Sequence, residues 1–376
     1  MKKTEQIKGL PRPFFVLAPM DDVTDTVFRQ IIAETAAPDL FFTEFVNVDG
    51  LQSPGREKLL PKLKLGPHEG MSRLSHVSRA QGGNEKRTNR IDDTESQHRK
   101  QTTQRSAASY VSEVDSVNLQ VKTVRKAVPI IAQIWGKNPE NYYKTTKDII
   151  AMGYDGVDIN MGCPDKAVVK NGCCSALIND RELAGEIIKA VQDAARDHFP
   201  VSVKTRVGFT TIDLSWIEFL LSQKLNMLTI HARTKKEMSK VPAHWELFAD
   251  AVSLRNAISP STLIVGNGDI TTRKLGEELA EKYKLDGVMI GRGIFHDPYV
   301  FAVASPWHTT TKEEKIALYK KHVQLFADTW QNNERRLPTL NKFCKVYIQG
   351  FDGAKELREK LMNAKTSEEL LKYLAS

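Results

Sequence analysis

A chain of 376 residues, 41% of them hydrophobic, can bury one large α/β domain and a smaller companion, and it is too well supplied with apolar side chains to be wholly unstructured. Its four cysteines, Cys163, Cys173, Cys174 and Cys344, give neither a disulfide framework nor paired zinc-ligand spacing, so a stapled secreted scaffold and a structural metal are excluded and no metal is expected. The net charge of +8 is concentrated in residues 64–126, with 12 basic and 7 acidic residues, and 306–376, with 13 and 9, which points to a polyanionic partner met outside the main body.

Along the chain, apolar runs of strand type alternate with amphipathic helical runs. Residues 14–18 open the series, followed by a helix over 25–36, a second strand at 40–44 and a third at 129–134. Asn138, Pro139 and Glu140 then supply a cap, a first-turn proline and an early acid for a helix reaching Met152. The fourth strand, 157–159, precedes a helix over 180–196. Strands at 201–204, 228–230, 262–265 and 287–290 follow, separated by helices over 214–223, 245–257 and 271–283. Eight strand-then-helix units predict a (β/α)8 barrel, since a doubly wound sheet needs fewer strands and a glycine-rich turn that Ala18-Pro19-Met20-Asp21 does not provide.

Two segments lie outside this pattern. Residues 66–120 are rich in Ser, Arg, Gln, Asn and Thr and read as a disordered insertion after the second strand. After Thr309 the periodicity is purely helical, with helices over 312–331, 339–348, 354–363 and 367–374 forming a small bundle. The expected division is a catalytic barrel over 1–305 and a helical domain over 306–376 that can be removed without unfolding the barrel. No apolar run approaches the about 18 residues of a membrane span, and Met1-Lys2-Lys3-Thr4-Glu5 has no signal-peptide core, so a cytoplasmic monomer is expected.

Chemistry-bearing residues fall at the strand ends, where parallel barrels keep their active sites. Cys163 sits in Asn160-Met161-Gly162-Cys163-Pro164, a tight loop closing strand four; a thiol there is either a small buried hydrophobe or a reactive group. Gly266-Asn267-Gly268-Asp269 closes strand seven and Gly291-Arg292-Gly293 closes strand eight. These two loops form the usual phosphate cradle of such barrels, because glycine lets backbone N–H groups approach phosphate oxygens. Lys204 ends strand five, and His231 ends strand six with Arg233 two residues on. Gln133 ends strand three and can pair with the edge of a heterocycle.

Ala18-Pro19-Met20, Asn160 to Pro164 with Lys166, Val203-Lys204-Thr205-Arg206-Val207-Gly208, His231-Ala232-Arg233-Thr234 and the two glycine loops resemble, in order, the motifs of the tRNA-dihydrouridine synthases. The helical tail is similar to that family's small RNA-binding domain, including Gly350-Phe351-Asp352-Gly353-Ala354. The resemblance implies an FMN cofactor, NADPH or NADH as reductant, and a uridine of folded tRNA as substrate. It implies Cys163 as the acid that protonates C5. Pro19, Met20, Gln133, Lys204, His231, Asn267, Gly268, Asp269, Gly291 and Arg292 would bind the cofactor, and Asn160, Lys166, Arg233 and Thr234 the substrate. By the same resemblance the insertion at 66–120 has no counterpart. Cys173 and Cys174 are expected to be packing residues. Two other readings stand beside this one: an FMN barrel oxidoreductase acting on a small pyrimidine, against which the basic tail argues, and a catalytically silent RNA-binding protein, against which Cys163 and the phosphate cradle argue.

Overall fold

The computed structural model describes residues 2–66, 69, 128–331 and 334–375. Eight parallel strands close in chain order into a barrel: β1 (Phe14–Leu17), β2 (Leu40–Asn47), β3 (Ile130–Trp135), β4 (Gly156–Met161), β5 (Val201–Arg206), β6 (Met227–His231), β7 (Leu263–Asn267) and β8 (Gly287–Ile290), with β1 bonded to both β2 and β8. The expected (β/α)8 architecture is thus observed, and every predicted strand is present.

Strand periodicity divides the buried residues. Phe15 and Leu17 of β1 face outward into the layer beneath the helices, while Phe14 and Val16 join Phe42, Val265 and Met289 in a separate apolar cluster inside the barrel. That inner cluster belongs mainly to β1, β2, β7 and β8. Toward β3 to β6 the interior turns polar: Gln133, Asp158 and Ser202 are cross-strand neighbours, and Asn160, Lys204 and Thr229 form the next row.

A short helix, Lys3–Lys8, closes the end where the strands begin. Ile7 is buried in the inner cluster and Leu10 packs on it. Lys3 pairs with Asp155, one residue before β4, at 3.5 Å, and Arg12 with Asp286, one residue before β8, at 3.4 Å.

The helix after β1 runs Thr26–Ala36 rather than from residue 25, because Asp25 is its cap and accepts a hydrogen bond from the Phe28 N–H. The tail contains helices Lys312–Thr329, Pro338–Tyr347, Ala354–Asn363 and Ser367–Tyr373, each within two residues of its expected end. Thr311 and Glu314 form a reciprocal capping box at the start of the first.

The tail packs directly on the barrel. Its helices share one apolar core with the barrel. Trp330 Nε1 donates to Asp25 Oδ2 at 3.1 Å, and the buried Arg335 pairs with Glu44 at the end of β2. Arg335, Lys321 and Lys342 pair with barrel carboxylates, namely Glu44, Glu34 and Asp22, and of the three only Arg335 is buried by its pairing.

Of the segment read as an insertion, 66–120, only Gly66 and Glu69 lie within the described residues, and its disorder falls outside them. Glu69 itself is fixed in place. It is buried against the barrel helix, accepting from Arg29 Nε at 2.7 Å, from Thr26 Oγ1 at 2.8 Å and from the Gly66 N–H at 2.7 Å. Charge pairing with a fully buried guanidinium holds Glu69 on the core.

Candidate active site

The strand ends opposite the helical plug surround a cleft of about 350 Å3. Pro19 and Met20 enter it from the turn after β1, Lys204 and His231 from β5 and β6, Asn267, Gly268 and Asp269 from β7, and Gly291 and Arg292 from the turn after β8. Ten of the residues singled out in the sequence meet here, since Arg233 also lines the wall. Gly268 has φ +138°, and a Cβ there would stand 2.7 Å from Ala243 Cβ, so both its conformation and its space require glycine.

The wall is electropositive. Burial, and then the neighbouring Arg206, bring the Lys204 ammonium down to about 8. His231 is held neutral, first by burial and then by Lys204, Arg206, Arg233 and Arg292 around it. Arg233 approaches His231 Nε2 at 3.1 Å. A guanidinium can only donate, so Nε2 is the acceptor and the ring proton resides on Nδ1. Arg233 also donates to Val241 O at 2.6 Å and pairs with Asp269. Arg292 reaches Asp269 only at 3.4 Å, and its side chain is 63% exposed, which leaves it available to an anion. This surplus of fixed positive charge beside glycine-lined turns fits a phosphate-bearing ligand such as FMN.

Cys163 is partly exposed beside this cleft, within electrostatic reach of Lys204. Asn160 Oδ1 accepts from the Cys163 N–H at 2.9 Å and the Gly162 N–H at 3.1 Å, which fixes the loop that carries the thiol. The thiol is brought down to about 7. A hydrogen bond with Cys174 contributes most, burial opposes it, and the Asp165 N–H and the Arg206 charge help. Cys174 is fully buried, as a packing residue should be, but it also hydrogen-bonds the Cys163 sulfur.

Other sequence-selected residues lie outside the cleft wall. Gln133 is buried in the barrel interior, where its Nε2 donates to Asp158 and its Oε1 accepts from Asn160. Lys166 is exposed at the start of the short helix Lys166–Lys170. Thr234 is buried; its hydroxyl accepts from the Glu237 N–H at 3.2 Å and its carbonyl from Arg206 at 3.0 Å, so it shapes a turn.

Arg206 had no assigned role in the sequence reading. Its Nε donates to Gly162 O at 2.8 Å and its NH1 to Thr234 O and Met238 O at 3.0 Å, tying the Cys163 loop to the turn after β6. The signal was its position two residues after Lys204, which puts both side chains on the same strand face. Asp21, Asp22 and Glu44 bring carboxylate oxygens within 4.8 Å of one another, but Lys62, Lys342 and Arg335 neutralise them.

Comparison with known proteins bears on the family. Residues 102–375 match the family model for dihydrouridine synthase (Dus). The chain is 40% identical over 362 residues to a probable tRNA-dihydrouridine synthase of Staphylococcus aureus (strain Mu50 / ATCC 700699), covering 96% of this chain and 92% of that one. It is 38% identical over 365 residues to a probable tRNA-dihydrouridine synthase 2 of Bacillus subtilis (strain 168), covering 96% and 93%. Similarity over nearly the whole chain makes this protein a member of the dihydrouridine synthase family of enzymes.

Proposed function

We propose that this protein reduces the C5–C6 double bond of a uridine in tRNA to dihydrouridine, using FMN and a reduced nicotinamide, NADPH or NADH. The observation that carries this reading is a partly exposed thiol, brought to about 7, beside a cationic, glycine-lined cleft at the mouth of a barrel. FMN, when bound, supplies the hydride that C6 accepts. Gly268, Gly291 and Arg292 would hold its phosphate, and Lys204, His231 and Asn267, with Pro19 and Met20, would line its ring. Gln133 Nε2 has a second proton to offer a ring carbonyl.

Cys163 gives its proton to C5. A thiol with a pKa near the working pH is an efficient donor, because it is still protonated yet leaves a stable thiolate. Asn160 holds the loop that presents this thiol, and Lys204 supplies positive charge next to it. Lys166, exposed at the rim, is placed to meet tRNA phosphates. Arg233 and Thr234 act from behind the wall, bracing His231 and the turn after β6.

The catalytic body corresponds to residues 1–305, and residues 306–376 supply a tRNA-gripping surface. Among the described residues Lys320, Arg336 and Lys345 are exposed and make no ion pair, so their charge is available to a phosphate backbone. Arg336 borders a groove of about 280 Å3 with Lys58 and Lys62 where the tail meets the barrel. The protein is placed in the cytoplasm, where its substrate is; among the described residues no helix is long and apolar enough to cross a membrane.

The test is direct. The purified protein should show flavin absorbance, and unmodified tRNA incubated with it and NADPH or NADH should gain dihydrouridine. A colourless protein that leaves tRNA unchanged with either reductant would refute the reading.

A further inference from the structure

We propose that Asp158 is a positioning residue for Cys163: its carboxylate is the obligate-acceptor end of an amide relay, Gln133 to Asn160, that holds the backbone of the Cys163 loop. Asp158 is completely buried in the polar half of the barrel interior, and the reaction itself gives it nothing to do. Both its oxygens are engaged. Oδ1 accepts from Ser202 Oγ at 2.6 Å and Oδ2 from Gln133 Nε2 at 2.7 Å. Gln133 Oε1 then accepts from Asn160 Nδ2 at 2.9 Å, and Asn160 Oδ1 accepts from the Gly162 and Cys163 N–H groups at 3.1 and 2.9 Å.

The direction of this chain does not depend on how either amide is drawn. An ionised carboxylate can only accept, and two backbone N–H groups can only donate. With an obligate acceptor at one end and obligate donors at the other, each amide has one orientation that satisfies every bond. Burial raises Asp158 to about 6, and hydrogen bonds from Ser202 and Gln133 and the Lys204 charge oppose the rise, so the group is mostly ionised at neutral pH. Lys204 makes no ion pair with Asp158 in the described structure, so neutralising the lysine does not account for the geometry; the hydrogen bonds do. The direction also decides what is left for a ligand. The spare hydrogen on Asn160 Nδ2 is a donor, so a base meeting this amide is met as a carbonyl would require.

The role rests on Cys163 being the proton donor, but it can be read without substrate. Four proteins decide it: wild type, Asp158→Asn, Asn160→Asp and the double variant. Asn160→Asp puts an acceptor at both ends of the Gln133 amide, so one contact must break. In the double variant the relay can run backwards: the carboxylate now at position 160 accepts from Gln133 Nε2, and Gln133 Oε1 accepts from the amide at position 158. Asp158→Asn alone keeps the original direction, because the backbone N–H groups still orient Asn160 and the new amide oxygen can accept from Gln133 Nε2, so it should have the smallest effect.

The readouts are the melting temperature and the limiting rate of Cys163 alkylation by iodoacetamide above about pH 9, where the thiol is ionised in every variant. Asn160→Asp should change the limiting rate about 10-fold and lower the melting temperature, and the double variant should return to within about 3-fold of wild type. If Asn160→Asp does not fold, folding of the double variant is the rescue. An unaffected Asn160→Asp, or a double variant no closer to wild type than that single variant, would overturn the relay. Dihydrouridine formation is not among these readouts, so a protein that made none would refute the proposed reaction and leave this result standing.

Discussion

Phe28, on the barrel helix Thr26–Ala36, stacks on Phe343 of the tail helix Pro338–Tyr347, with ring centroids 4.8 Å apart and planes inclined by 29°. Both rings are buried, and His322 packs beside them at 6.0 Å from Phe28 and 4.6 Å from Phe343. The contact joins the two parts of the chain into one core. Phe343→Ala should cost about 3–5 kcal/mol, as loss of a buried aromatic does. Truncation before Lys312 should give an aggregating product, because it uncovers Phe28 and strips Arg335 from the buried Glu44. Chemical denaturation of the variant and size-exclusion chromatography of the truncated chain measure the two outcomes; a monomeric, folded barrel after truncation would show the shared core to be dispensable.

Cys163→Ala should keep its flavin and still accept electrons from a nicotinamide, while dihydrouridine formation falls by about 10²–10⁴-fold, the usual contribution of a positioned acid. Single-turnover assays with the pre-reduced enzyme separate the two half-reactions. Turnover near wild type would remove Cys163 from the mechanism.

Opposite pH trends should expose the same sulfur. With the Cys163 thiol at about 7, the proton-donating form dominates below that pH and is lost above it. Uridine reduction should therefore decline as pH rises through about 7, and alkylation of Cys163 should accelerate over the same interval. Since the Cys174 hydrogen bond is the largest contribution to the lowering, Cys174→Ala should move both midpoints upward together. Midpoints that stay in place would mean that Cys174 serves packing alone.

Arg292→Ala should release flavin more readily than wild type, since it removes an exposed guanidinium from the phosphate cradle. Lys204→Ala should weaken flavin retention and also allow His231 to protonate more easily, because it deletes one of the charges that keep the imidazole neutral. Flavin-to-protein absorbance ratios after dialysis check the first effect, and NMR titration of His231 the second. Full flavin occupancy in both variants would place the phosphate elsewhere.

Much of this architecture was legible in the sequence because its signals are local. Val203 and Ile264 sit in short buried runs that have no alternative to a parallel strand, and Asn138-Pro139-Glu140 starts its helix by chemistry confined to three residues. The cleft residues were legible because strand ends of a closed barrel necessarily share a rim. What escaped depends on partners distant in the chain. Arg335 lies in the basic segment 306–376 that the sequence directs to a polyanionic partner, and only folding brings it to Glu44, 291 residues away. Cys174 could not be connected to Cys163 without the turn Cys174–Asn179 that folds back under the loop. Asp158 interrupts an apolar strand for no visible reason until Gln133 and Ser202 are placed on either side of it.

The helix Lys3–Lys8 seals the barrel at the end away from the cleft. A linker attached ahead of Lys3 therefore emerges from the back of the molecule. Anchored to a bead or sensor chip by that linker, the protein would stand with its open mouth and the neighbouring tail helices turned toward the solution, accessible to an object as large as a folded RNA. The same back-end attachment would suit a fluorescent fusion, whose bulk would hang on the side away from the cleft.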